Sequence, residues 1–136
     1  MKANLSKVSN FTSLIKAYAL GDKLLDSDPK DAVTDTMVLS FAPNDDNAVF
    51  LPNSSKRRTL YESTVSQSPA RRLLVHRLAR TTDPSLIKDK DHHTFLVDLA
   101  QEALKREVET TEEAAARCAF HEHAPGAENC YRNKYA

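Results

Sequence analysis

Ser68-Pro69-Ala70-Arg71-Arg72-Leu73-Leu74-Val75-His76-Arg77-Leu78-Ala79-Arg80 is the stretch on which the fold class turns. A serine hydroxyl can accept a backbone N–H of the first helical turn. A proline in the first helical position gives up an N–H that has no partner there anyway. Leu73, Leu74, Val75 and Leu78 make one apolar side, and Arg71, Arg72, Arg77 and Arg80 populate the other. The stretch therefore predicts an amphipathic helix from Pro69 to about Arg80. Start signals of the same kind recur along the chain, at Asp28-Pro29 and at Thr110-Thr111-Glu112-Glu113. Only two glycines occur, Gly21 and Gly126, which leaves little for tight hairpins and nothing for a glycine-rich phosphate loop. The expectation is an all-α fold. It is a single domain over 1–136, built of five to six short helices and closed by an irregular Cys/His-containing tail.

Upstream of that helix, residues 55–64 predict a short helix with Leu60 and Tyr61 inward and Lys56, Arg57 and Arg58 facing water. Residues 43–54 read as a turn-rich loop, with Val49, Phe50 and Leu51 anchored on the core. Before it, Asp28 caps a helix with Pro29 in its first position, and Asp31 favours the positive end of the helix dipole. Val33, Met37 and Phe41, with Leu39 or Ser40 beside them, form its apolar face, and Pro43 ends it. Phe11, Leu14, Ile15 and Tyr18 fall at i, i+3, i+4 and i+7 of a first helix. It starts near Ser9 or Asn10 and runs through Gly21 to Leu24 and Leu25. A helical glycine costs about 1 kcal/mol relative to alanine, a cost accepted where a second helix packs close.

Downstream, Asp83-Pro84 breaks the chain. The longest predicted helix runs from His92 to Glu109. Its inner stripe is Leu96, Leu99, Ala100, Ala103 and Leu104, with Phe95 and Val97 at the flanks. His92-His93 read as its solvated first turn. Thr110 and Glu113 form a capping box, each side chain satisfying the other residue's backbone N–H, and open a short alanine-rich helix ending near Cys118.

The segment Cys118-Ala-Phe-His121-Glu-His123-Ala-Pro-Gly-Ala-Glu-Asn-Cys130-Tyr131 holds both cysteines and two of the five histidines. Its spacing, Cys-x2-His-x-His-x6-Cys, supplies four ligands, the number a structural zinc takes in a closed tetrahedron. Cys118, His121, His123 and Cys130 are thus candidate ligands of a structural Zn2+ that would hold the fold without doing chemistry. Two plainer readings stand beside it: a solvated tail with incidental Cys and His, and a Cys118–Cys130 disulfide.

The sequence contains no apolar run of the roughly 18 residues a membrane span needs, and the N-terminus lacks a signal-peptide core. The expected setting is cytoplasmic or nuclear, with reduced thiols. Net charge is zero but unevenly placed. Residues 53–90 carry nine basic and three acidic side chains, against five and seven before them and five and nine after. The basic residues Lys56, Arg57, Arg58, Arg71, Arg72, Arg77 and Arg80 form a candidate partner-binding face. A solvated face, or one docked on acidic residues elsewhere in the fold, is the plainer account. A nucleic-acid-binding regulator using residues 56–80 is the alternative function, and neutral charge with few interleaved aromatics speaks against it. Cys118 beside His121 is the one candidate nucleophile–base dyad, and no oxyanion-stabilising glycine turn accompanies it.

Several segments, in order, resemble one family. Tyr18-Ala-Leu-Gly-Asp-Lys-Leu-Leu25 with Lys30-Asp-Ala-Val-Thr-Asp35 is similar to the pattern that closes the BTB/POZ domain in filamentous-fungal BTB proteins. Tyr61-Glu-Ser-Thr64 and Ser68-Pro-Ala-Arg-Arg-Leu-Leu-Val75 resemble segments further along those proteins, as do Phe95-Leu-Val-Asp-Leu-Ala100 and the Cys118…Tyr131 ending. Gly21, His76 and Phe120 depart from the common residues of that pattern, and the BTB core itself is missing. The resemblance implies helices over 1–42 like the end of a BTB domain, a following helical module over 55–118, and a Cys/His tail over 118–136. It also implies a non-enzymatic adaptor that works by binding a protein partner.

Overall fold

The computed structural model describes residues 2–41, 51–81, 83–105 and 110–134, and for residues 2–10 the backbone only. Seven α-helices and two 3-10 turns occur among the described residues, and no strand. α1 spans Lys2–Lys23 and α2 spans Ser27–Phe41. They form an antiparallel hairpin, the most extensive helix pairing among the described residues. At its far end the Phe11 and Phe41 rings lie 6.1 Å apart. At its near end Gly21 sits under Lys30, where an added Cβ would come within 2.8 Å of Lys30 Cγ. The expected close helix approach at Gly21 is therefore present.

α1 is longer at its start than the sequence suggests and stops short of Leu24-Leu25. Leu25 adopts φ 53°, in the left-handed region. The Asp26 N–H bonds to the Gly21 carbonyl and the Leu25 N–H to the Asp22 carbonyl, so α1 ends in a Schellman motif with leucine where glycine is usual. Leu25 is consequently 91% exposed and adds nothing to the apolar face. The cap of α2 also shifts. Asp28 lies inside the first turn, and Asp26 Oδ1 accepts its N–H at 3.1 Å. Val33, Met37 and Phe41 are buried as expected, with Val38 beside them; Leu39 is exposed instead.

α3 spans Ser54–Ser63 and α4 spans Pro69–Leu78, capped by the side chains of Asn53 and Ser68. α4 is the hub. Ala70, Leu73, Leu74, Val75 and Leu78 are all buried, and it packs on α2, on α3, on α5 (His93–Ala103) and on α6 (Thr111–Ala116). Pro84–Leu86 makes a 3-10 turn in the link between α4 and α5. α6 opens with the expected Thr110/Glu113 capping box. α7, Tyr131–Lys134, closes the described chain. Leu51 packs on the core; Pro43, Val49 and Phe50 lie outside the described residues.

α5 departs most from its sequence reading. It is eleven residues long, shorter than α1 or α2. Only Phe95 of its apolar residues is buried, Leu96 and Leu99 are half-buried, and Leu104 is 82% exposed. Among the described residues the helix packs on α3 and α4, and none of them covers the rest of the expected apolar stripe. His92 is not solvated: its Nδ1 accepts the Thr94 N–H and its ring lies 5.3 Å from that of Tyr61.

The expected water-facing row Lys56, Arg57, Arg58 is broken by Arg57, whose side chain is 1% exposed and paired with the fully buried Asp91. Arg57 Nε and Nη2 donate to the two Asp91 oxygens at 2.9 and 2.8 Å, and Nη1 and Nη2 donate to the carbonyls of Pro52 and Leu86. The guanidinium lies over the Phe95 ring. One side chain thus ties together the segment before α3, the link after α4 and the start of α5. Arg71 is buried as well. It donates to the Tyr61 and Thr64 carbonyls, the orphan acceptors at the C-terminus of α3, and stacks on Tyr61.

Candidate metal centre

The Cys/His segment folds back against α2. Cys118 stands just past the end of α6 with φ 63°. The Ala119 N–H reaches the Ala114 carbonyl and the Cys118 N–H the Ala115 carbonyl, a second Schellman motif with a non-glycine in its left-handed position. Such a conformation costs roughly 1–2 kcal/mol for an L-residue and tends to persist where function needs it. Here it turns the chain abruptly, so that Cys118, His121 and His123 meet Cys130 after the chain reverses at Gly126, which has φ 113°.

The four expected ligands converge. Their ligand atoms all lie within 4.8 Å of one another. Cys118 Sγ and Cys130 Sγ are 3.8 Å apart, and Cys130 Sγ and His121 Nδ1 are 3.6 Å apart. Around a tetrahedral zinc with Zn–S of about 2.3 Å and Zn–N of about 2.0–2.1 Å, the corresponding edges are about 3.8 and about 3.5 Å. The sulfur separation is also far beyond a disulfide bond of about 2.05 Å, and both cysteines are free thiols. The sulfurs are therefore not bonded to one another here, and the segment is folded against α2 rather than solvated.

Both imidazoles are held with a nitrogen to spare. His121 Nε2 lies 2.8 Å from Asp35 Oδ1. Donation of Nε2–H to that carboxylate leaves Nδ1 as a lone pair facing Cys130. His123 uses Nδ1 on the Ala124 carbonyl at 2.8 Å, and its Nε2 is buried with no hydrogen-bond partner. A buried nitrogen left without a partner is costly, and a cation beside the two sulfurs would satisfy it. Burial and the neighbouring Cys130 push the Cys118 thiol above its ordinary range, crowding that a divalent cation would relieve.

The sequence reading missed the residues that seat this segment. Asp35 of α2 accepts from His121, from the Tyr131 hydroxyl and, in two bonds, from Arg132. Burial alone would raise its carboxyl, but the bonds from Arg132, Tyr131 and His121 outweigh it and hold Asp35 below the usual carboxylate range. Burial of its hydroxyl, together with this carboxylate, pushes Tyr131 up to about 12. One turn earlier, Asp31 accepts the Glu122 N–H at 2.8 Å, and burial pushes its carboxyl up. Asp31 therefore also seats the tail. The Thr34 hydroxyl is shared between the Asp31 carbonyl at 2.9 Å and the Phe120 carbonyl at 3.3 Å, and Lys30 pairs with Glu122. The signal was present in part. Asp31, Thr34, Val38 and Phe41 fall at i, i+3, i+7 and i+10, so a carboxylate and a hydroxyl sit on the buried stripe of α2 and require a partner.

The candidate basic face does not assemble as one surface. Arg57 and Arg71 are consumed inside the fold. Arg77 donates to the Phe41 carbonyl, Arg80 pairs with Glu102, and Arg72 donates to the Ala119 carbonyl. Of the seven, Arg58 and Arg72 are exposed, and Lys56, Arg77 and Arg80 half-buried. No helix among the described residues is long and apolar enough to cross a membrane. No family model matches the chain, and comparison with curated proteins and with solved structures finds no significant match.

Proposed function

We propose that this chain is a non-enzymatic protein-interaction module whose C-terminal segment is closed by one structural zinc ion. The observation that carries the zinc reading is the match between the ligand separations of 3.8 and 3.6 Å and the edges of a Cys2His2 tetrahedron. Four protein ligands leave no position for water or substrate, so the ion would stabilise structure rather than activate a nucleophile. Cys118 and His121 would both be spent as ligands, which leaves the candidate dyad without a free base. The adaptor reading is supported by the resemblance to the helical region that follows BTB domains, and the partner would be a protein.

The nucleic-acid reading loses support from the same side chains that suggested it. Arg57 and Arg71 are bonded inside the fold, and Arg72, Arg77 and Arg80 meet carbonyls or a carboxylate of the fold, so the seven side chains do not present one phosphate-binding surface. Elemental analysis of protein purified under reducing conditions tests the main reading. About one zinc per chain is expected, lost on replacing His123 and Cys130 together. Protein that refuses zinc at micromolar free metal rejects it. In parallel, charge reversal at Arg58 and Arg72 should leave any binding to nucleic acid as weak and as salt-insensitive as before; a steep salt slope abolished by those changes would restore the alternative.

A further inference from the structure

We propose that Cys118 is a site of reversible oxidation by peroxide, with Cys130 as its resolving thiol, and that this oxidation discharges the metal. The inference rests on the zinc reading and goes beyond it.

The two sulfurs differ in access. Cys118 is half-exposed and forms part of the wall of a cavity of about 370 Å³, shared with Arg117, His121, His123 and Pro125. Cys130 is buried behind it, 3.8 Å away. A cavity of that size admits hydrogen peroxide readily, and a metal-bound sulfur keeps the thiolate character that makes it a nucleophile. Cys118 therefore meets an oxidant first, and Cys130 is the nearest thiolate to meet the product. Closing the sulfurs to a bond of about 2.05 Å asks for a shift of less than two ångströms, at a residue already held in a left-handed turn.

The step balances with peroxide as the oxidant. The Cys118 thiolate attacks one peroxide oxygen, the O–O bond breaks and hydroxide leaves, giving a sulfenic acid. The Cys130 thiolate then attacks the Cys118 sulfur, the S–O bond breaks, a second hydroxide leaves and the disulfide forms. Two electrons pass from the sulfur pair to one peroxide. With both sulfurs in the disulfide, only His121 and His123 would remain as donors, too few to hold a zinc ion. A thiol reductant reverses the disulfide, and the ion can then return.

The test uses the zinc-loaded wild-type chain, freed of reductant. Hydrogen peroxide is added while a chromogenic chelator reports free zinc and mass spectrometry follows the intact chain. The expected result is one zinc released per disulfide, a mass lower by two hydrogens, and recovery of the loaded form with dithiothreitol and added zinc. With dimedone present from the start, the adduct should fall on Cys118. Zinc retained in excess peroxide, or an adduct that appears first on Cys130, overturns this inference and leaves the zinc reading intact. A chain that takes up no zinc overturns both.

Discussion

At the scale of single residues, carboxylates and guanidinia decide more of this fold than their hydrophilicity suggests. Asp35 fixes which nitrogen of His121 faces the sulfurs, so removing its charge acts on the metal through the imidazole. Outer carboxylates of this kind are worth about 10–100-fold in metal affinity. Asp35→Asn should weaken zinc by that factor in competition with a chromogenic chelator, and Asp35→Glu should recover part of it; unchanged affinity in the asparagine variant would falsify the outer role. Arg57 belongs to a buried, fully bonded pair with Asp91. Breaking such a pair from one side strands the other charge and costs roughly 3–5 kcal/mol. Arg57→Met should lose about that much in urea melts, and adding Asp91→Leu should return a large part; equal losses in the single and double variants would argue against a coupled pair. The candidate metal ligands were legible because all four lie within one short segment, where spacing alone can be read. Asp31, Asp35 and Arg57 were not, because their partners lie 91, 86 and 34 residues away. Periodicity assigns any arginine on the polar side of a helix to water, and here the end of another segment occupies that space.

At the scale of elements, the caps of α4 and α6 were read correctly from their own turns, whereas the Asp28 cap of α2 and the boundaries of α1 and α5 were not. Ser68-Pro69 and the Thr110/Glu113 box mark where their helices begin, because a cap is settled by the few residues that make it. The stop of α1 was missed because leucine takes the left-handed position that glycine usually signals. That choice is open to repair. Leu25 is exposed, so Leu25→Gly removes strain of roughly 1–2 kcal/mol against a glycine entropy cost of about 0.5–1 kcal/mol. A gain of about 0.5–1 kcal/mol in the melt is expected, and a loss would mean the leucine side chain matters. Gly21 should behave in the opposite way. Alanine there gains about 1 kcal/mol of helix propensity, but its Cβ meets Lys30, which is held between Asp22 and Glu122. Overpacking of roughly 1–3 kcal/mol should win, so Gly21→Ala is expected to destabilise by about 1 kcal/mol; a stabilised variant would show that Lys30 yields freely. The α4–α5 contact adds a pH dependence. Burial works to raise the Glu102 carboxyl, but Lys105 and Arg80 outweigh it and hold it below the usual range. A depressed carboxyl contributes stability above its unfolded value, near pH 4.3, that is lost as pH falls through the folded value. Melts of metal-free protein should show that loss on acidification, and Glu102→Gln should remove it.

At the scale of the whole molecule, two tethers hold segments outside the α4 hub in place, and only one of them contains the candidate metal ligands. The Arg57–Asp91 staple secures α3, the link after α4 and α5 without any ion. The Cys/His segment secures the C-terminus to α2 through Asp31, Thr34 and Asp35, and its shape depends on where His121 and Cys130 sit. Metal removal should therefore loosen the molecule unevenly. A ligand that binds only the folded state stabilises it by RT ln(1 + [L]/Kd), about 4 kcal/mol at a thousandfold excess over Kd, so a chelator should lower the melting temperature of the whole chain. Before that global transition, amide exchange should rise across residues 117–134 and along the Lys30–Asp35 face of α2, whose side chains lose their seated partners. Leu73, Leu74 and Leu60, in the core that the Arg57 staple supports, should stay protected. Uniform loosening would mean the segment is one cooperative unit with the bundle. No change at residues 117–134 would mean that the hydrogen bonds to α2 hold the segment unaided and that zinc contributes nothing to its shape.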